Sequence, residues 1–143
     1  MINRTMGSAS VVPELVYDDV GAAVDWLCDA FGFTEMWRVG NHRARIRLGN
    51  GIVVIADADP SNGRTTPTPG DPYAQSTMVQ VDDVNAHYEH ARSRDALVLT
   101  TPTDYAFGER MYSAQDPAGH HWTFSQSIAD LPPEAWGGTT KSP

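Results

Sequence analysis

The residues able to do chemistry in this chain are few and scattered. Its five histidines include an adjacent pair, His120-His121, and a pair three apart, His87 and His90. Imidazole can ligate a divalent metal or move a proton near neutral pH. His87 and His90 share one helical face, while Val84, Tyr88 and Ala91 claim the buried one, which predicts a solvated histidine face. His120 and His121 point opposite ways in an extended segment, and His121 shares the face of Thr123. His42 falls at a hairpin end and is expected in solvent. Glu14, inside a short apolar strand, would be a general base if buried, because desolvation raises a carboxyl pKa. Cys28 is the single cysteine and sits mid-helix beside Leu27, which makes it an inert small residue rather than a nucleophile. There is no glycine-rich phosphate loop, no Gly-x-Ser-x-Gly elbow and no Cys-x-x-Cys pair.

These side chains are positioned by a regular succession of elements. Val11 to Tyr17 is a short strand, and Asp18 or Asp19 caps a helix whose buried stripe is Val20, Ala23, Val24, Leu27 and Phe31. Trp26 belongs to the core side, and Gly32 ends the helix. Three strands follow, Phe33 to Val39, His42 to Leu48 and Ile52 to Ala56, separated by turns at Gly40-Asn41 and Gly49-Asn50-Gly51. The middle one alternates strictly. Ala44, Ile46 and Leu48 meet the helix, and Arg43, Arg45 and Arg47 face a cleft or solvent. Residues 59–75 hold four prolines and two glycines and form a linker. The pattern then repeats. Val81-Asp82-Asp83-Val84 matches Tyr17-Asp18-Asp19-Val20 at an offset of about 64 residues, and Gly119 is matched with Gly51. The expected class is α+β: an N-terminal extension 1–10, a first βαβββ module 11–58, the linker, a second module 76–126, and a Pro- and Gly-rich tail 127–143 that carries Trp136.

Composition narrows the partners. The 143 residues carry a net charge of -8, which repels phosphate backbones and argues against nucleic acid. Lys141 is the only lysine, so a polybasic patch for anionic membranes is absent, and no apolar run is long enough to span a bilayer. A polar N-terminus and one cysteine fit a cytoplasmic protein.

Two segments, Tyr17-Asp18-Asp19-Val20 … Trp26 … Ala30-Phe31-Gly32-Phe33 and Gly108-Glu109-Arg110-Met111-Tyr112 … Asp116-Pro117-Ala118-Gly119-His120-His121-Trp122-Thr123-Phe124, resemble the two modules of the vicinal oxygen chelate superfamily. That superfamily includes glyoxalase I, extradiol dioxygenases, and fosfomycin and bleomycin resistance proteins. The resemblance covers roughly residues 10–126. It implies a curved mixed sheet around a cleft, pairing into a homodimer, and in many members a divalent metal. Counted from the capping aspartates and the turn glycines, the metal-ligand positions are Val12, Ile55, Ser76 and Thr123, none of which is a usual ligand. The resemblance is therefore closest in type to metal-free bleomycin resistance-like members, with no cofactor.

Period-2 steps from those positions place Glu14, Val16, Met78, Gln80, His121 and Ser125 on the cleft, and Val53 and Asp57 with them. In this fold Trp37, Tyr105, Phe107, Tyr112 and Trp122 border it, and Trp136 closes over it or over a neighbouring subunit. The expected ligand-binding set is Glu14, Trp37, Arg45, Met78, Tyr105, Phe107, Tyr112, His121, Trp122 and Thr123. The expected function is binding and sequestering a small aromatic or antibiotic-like metabolite. The alternative is an enzyme of the same superfamily, either a metal-free lyase or isomerase or a glyoxalase- or dioxygenase-like enzyme with an atypical metal site.

Overall fold

The computed structural model describes residues 1, 3–5 and 7–142. In chain order the elements are β1 (Glu14–Tyr17), α1 (Val20–Phe31), β2 (Thr34–Val39), β3 (Arg43–Leu48), β4 (Gly51–Asp57), β5 (Thr77–Gln80), α2 (Val84–Ser93), β6 (Leu97–Tyr105), β7 (Glu109–Gln115) and β8 (His121–Ser127). Single 3-10 turns lie at Pro60–Asn62 and Pro133–Trp136. The second aspartate of each Asp-Asp pair is the cap. Asp19 accepts from the Ala22 N–H and Asp83 from the Ala86 N–H, both at 3.0 Å. α1 stops at Gly32, whose φ of +85° only glycine adopts freely and whose N–H donates to the Cys28 carbonyl.

The duplication extends to topology. The strands form two four-stranded sheets, ordered β1-β4-β3-β2 and β5-β8-β7-β6. In each, the first strand runs parallel to the last and the remaining pairs are antiparallel. Glu14 pairs with Val54, and Met78 pairs with Thr123. Glu14 and Met78 are 64 residues apart, so Val54, not Ile55, is the counterpart of Thr123. The match of Gly51 to Gly119 is one residue out. In the first turn Gly49 takes the positive φ of +60°, and in the second Gly119 takes +97°. Ile55 accordingly lies in the core and not on a cleft, while Val53 belongs to the core and also lines the groove between modules. Asp57 pairs in register with buried Tyr17 and bonds His42 and Arg64 instead of facing a cleft.

Both modules share one core. Phe31, at the end of α1, packs edge-on against Phe124 and Trp122 of β8, with ring centroids 4.7 and 5.6 Å apart. The Trp26 indole N–H, midway along α1, donates to the Arg94 carbonyl at the end of α2 at 2.9 Å. His87 is half-buried and not in solvent, because its side of α2 docks on the end of α1, whereas His90 stays exposed as expected. Nε2–H of His87 donates to the Phe31 carbonyl at 2.8 Å, and Nδ1 accepts from the Tyr112 hydroxyl. His90 donates to the Asp29 carbonyl at 2.7 Å. Burial of large rings at this seam, each contributing roughly 2–3 kcal/mol, is what holds the halves together. Tyr112 and Trp122 are among them. Both are fully buried under the helices, on the strand face opposite to Met111, Ser113, His121 and Thr123, so they pack the core and border no cleft.

Asp116 adds a polar tie. Its buried carboxylate accepts from the Tyr17 hydroxyl at 2.5 Å, the Trp122 indole at 3.0 Å, and the N–H groups of Ala118 and His120. His120 reaches across as well, donating from Nε2 to the Val16 carbonyl at 2.6 Å. The Asp-Pro-x-Gly turn is thus the junction between modules. The linker and tail also dock specifically. The Gly70 N–H donates to the Gln115 amide oxygen at 2.8 Å, and the Ile128 N–H to the Gly108 carbonyl at 2.9 Å.

Candidate functional site

Each sheet uses one face to cover the core and leaves the other open. On the first sheet the open face carries Glu14 and Val16 of β1, Trp37 of β2, and the three arginines of β3, which settles the side taken by the Arg43, Arg45, Arg47 stripe. Arg43 ion-pairs with Glu14 at 3.4 Å. The Arg45 guanidinium lies 5.8 Å from the centroid of the Trp37 ring, within cation–π range. The Glu14 side chain is about half exposed, so it lacks the burial that would make it a general base. Thr5 lies beside this face, its carbonyl accepting from the Trp37 indole N–H at 3.4 Å.

On the second sheet the open face is a ladder of short polar side chains. Ser76 and Thr123 hydroxyls bond each other at 2.8 Å, Thr100 bonds Ser113 at 2.7 Å, and the Ser125 hydroxyl donates to Glu109 at 2.5 Å. Near one end His121 is buried, with its ring stacked on Tyr73 at 3.6 Å. Burial pushes the His121 pKa below its ordinary value. At the β6–β7 turn, Tyr105 stacks on Phe107 at 5.3 Å, and Trp136 meets Phe107 edge-on at 5.9 Å.

Between the modules runs a groove of about 1,090 Å³. Its walls come from the β3–β4 turn and Ile52 on one side and from β5, Ser125, Phe107 and the tail residues Ala129 to Leu131 on the other. Its charged lining residues are Asp82, Glu109 and Asp130, all carboxylates. A smaller cavity of about 310 Å³ lies between the linker and the Gly119–His121 corner.

A model of the Glyoxalase/Bleomycin resistance protein/Dioxygenase superfamily matches residues 2–124. The chain belongs to that superfamily. An uncharacterized protein of Mycobacterium bovis is 31% identical over 127 residues, which is 83% of this chain and 84% of the relative. Among solved structures, TioX from Micromonospora sp. ML1 is 30% identical, with a TM-score of 0.68 over 85% of this chain and 100% of that one. Lactoylglutathione lyase from Agrobacterium tumefaciens, at 20% identity and a TM-score of 0.62 over 85% of this chain and 95% of that one, shares the fold.

The superfamily's metal does not fit these residues. The corresponding positions, with the register corrected, are Val12, Val54, Ser76 and Thr123. Valine has no donor atom, and the two hydroxyls already satisfy each other. Among the described residues no group of three or more His, Cys, Asp and Glu is placed to hold an ion.

The sequence-expected ligand residues are distributed rather than gathered. Met78 and Phe107 line the groove, and His121 lines the small cavity. Thr123 lies on the same open face as Met78, its neighbour in register, and Tyr105 flanks the groove through its stack on Phe107. Glu14, Trp37 and Arg45 form a separate cluster on the first sheet, while Tyr112 and Trp122 are in the core. Sequence reasoning missed Glu109, Asp82, Asp130 and Tyr73. The alternation that puts Met111 and Ser113 on the open face also puts Glu109 there, so that signal was available. Tyr73 sits in a linker with no period to read.

Proposed function

We propose that this superfamily member binds and sequesters a small aromatic or antibiotic-like metabolite in the cytoplasm, without a metal, as a homodimer. The observation that carries the reading is the Ser76–Thr123 hydroxyl pair, which fills two metal-ligand positions with side chains bonded to each other beside a groove of ligand size. Sequestration needs affinity and no reactive group, and the site supplies apolar wall, stacked rings at Tyr105 and Phe107, and polar handles at Gln80, Ser125 and Glu109. The groove's all-carboxylate charge set favours a neutral or cationic ligand over an anion. The likeness to TioX, in a superfamily whose name includes bleomycin resistance, supports a role in antibiotic resistance.

Pairing of two copies is supported by apolar side chains left in solvent on the second sheet, Met78 at 60% and Leu97 at 50% exposure among them. Titration of intrinsic tryptophan fluorescence across a panel of aromatic metabolites and antibiotics tests the binding. Saturable quenching by at least one compound is expected, with no change on adding chelator. No binding by any compound, or stoichiometric zinc, iron or nickel in the purified protein, overturns the reading, and the metal result favours the enzyme alternative. Light scattering on the eluting protein checks the dimer.

A further inference from the structure

We propose that the face of His121 covered by Tyr73 is a binding subsite for a planar aromatic ring, with Tyr73 as its internal occupant. The proposal rests on the binding reading above and narrows the ligand to one with a flat ring edged by hydrogen-bonding groups.

His121 is only 6% exposed, and neither ring nitrogen, both fully buried, has a hydrogen-bond partner among the described residues. A neutral imidazole carries one donor and one acceptor, and buried polar atoms are nearly always paired. One face of the ring is covered by Tyr73, stacked on it at 3.6 Å with planes 14° apart. Tyr73 itself is 56% exposed. The closed arrangement gives the His121 face one stacking contact and leaves both edge nitrogens unpaired, with the Tyr73 residue more than half exposed, which makes Tyr73 a weak occupant.

The surroundings suit exchange. The cavity of about 310 Å³ beside the stack is lined by Thr65, Pro67, Asp71, Tyr73 and Gly119 as well as His121, which is the lower end of the range for small-molecule sites. The linker is pinned just upstream, where the Gly70 N–H bonds buried Gln115 and the backbone at Pro69 presses on Gly119. β5 begins downstream at Thr77. Tyr73 can therefore swing aside without the linker detaching. An incoming ring takes over the stack on the imidazole face, and a polar substituent that extends past that face into the cavity can meet an edge nitrogen, which Tyr73 does not.

The test uses the whole chain, 9-aminoacridine as the probe, and the variants Tyr73→Ala, Tyr73→Phe and His121→Phe. Nuclear magnetic resonance of the His121 ring is recorded with and without probe, alongside fluorescence titration. Removing the competing ring is expected to tighten acridine binding about tenfold in Tyr73→Ala, with Tyr73→Phe near wild type. The His121 ring signals are expected to shift on saturation, and His121→Phe, which retains a ring to stack on, is expected to lose the gain. Binding that is unchanged or weaker in Tyr73→Ala overturns the proposal, as does saturation without movement of the His121 signals. In either case saturable fluorescence quenching leaves the broader binding reading standing. Absence of acridine binding to wild type and Tyr73→Ala, with fold intact, overturns the subsite alone, since the compound panel judges the broader reading separately.

Discussion

Two side chains at the seam between modules carry unusual weight. Burial lowers the His87 pKa, opposed by its bond to the Phe31 carbonyl and assisted by nearby His90, while the Tyr112 hydroxyl donates to its other nitrogen. A lowered folded pKa means that the unfolded chain holds more protons below about pH 6.5, so stability is complete above that pH and declines as pH falls through it. His121 has the same sign. Urea unfolding at pH 7.5 and 5.5 is expected to show lower stability at the acid value, and His87→Gln is expected to flatten the dependence. Asp116 is the second case. Replacing it with alanine strands the Tyr17 hydroxyl and the Trp122 indole in the core, at roughly 1–3 kcal/mol each. A loss of about 3 kcal/mol in chemical denaturation is expected for Asp116→Ala.

At the scale of elements, alternation told most of the story where an anchor was correct. Counting from Ser76 and Thr123 placed Met78, Gln80, His121 and Ser125 on the open face of the second sheet, as observed. The same counting already implied that Trp122, between His121 and Thr123, points the other way; reading it by its aromatic character set that aside. In the first sheet the anchor failed by one residue. Gly49-Asn50-Gly51 offers two glycines, but in the strand register the counterpart of Gly119 is Asn50 between them, which matching by glycine passes over. The docking of α2 on α1 was not legible, because a histidine face is apolar enough to bury only when a carbonyl and a hydroxyl meet it. The tail gives a prediction at this scale. Gly108 has φ of +90°, and a Cβ there would lie 2.3 Å from the Ala129 carbonyl oxygen. Gly108→Ala is expected to cost roughly 2 kcal/mol and to loosen the tail, measurable as a lower melting temperature and faster amide exchange at Ile128 and Ala129.

Across the whole molecule, the net charge of -8 conceals a partition. Carboxylates line the groove between modules, and the arginine stripe decorates the first sheet. The sign of the charge met by a ligand is set by where it binds, which no sum over the sequence contains. The shared core makes a further statement about the chain as one body. Phe31 belongs to the first module by sequence but fills space against Phe124 and Trp122 of the second. Phe31→Ala is expected to remove about 3–5 kcal/mol and to lower stability in both halves together, with circular dichroism and tryptophan fluorescence tracing one coincident transition. Separate transitions for the two modules would contradict the single core.

The Ser76–Thr123 pair also constrains how this chain can change. Each hydroxyl is the other's partner, so replacing either one alone with a metal ligand takes away an existing bond while supplying only one donor of the three or four an ion needs. Valines occupy the other two positions. Acquiring a metal site of the superfamily type would therefore take several simultaneous replacements, since no single one supplies enough donors.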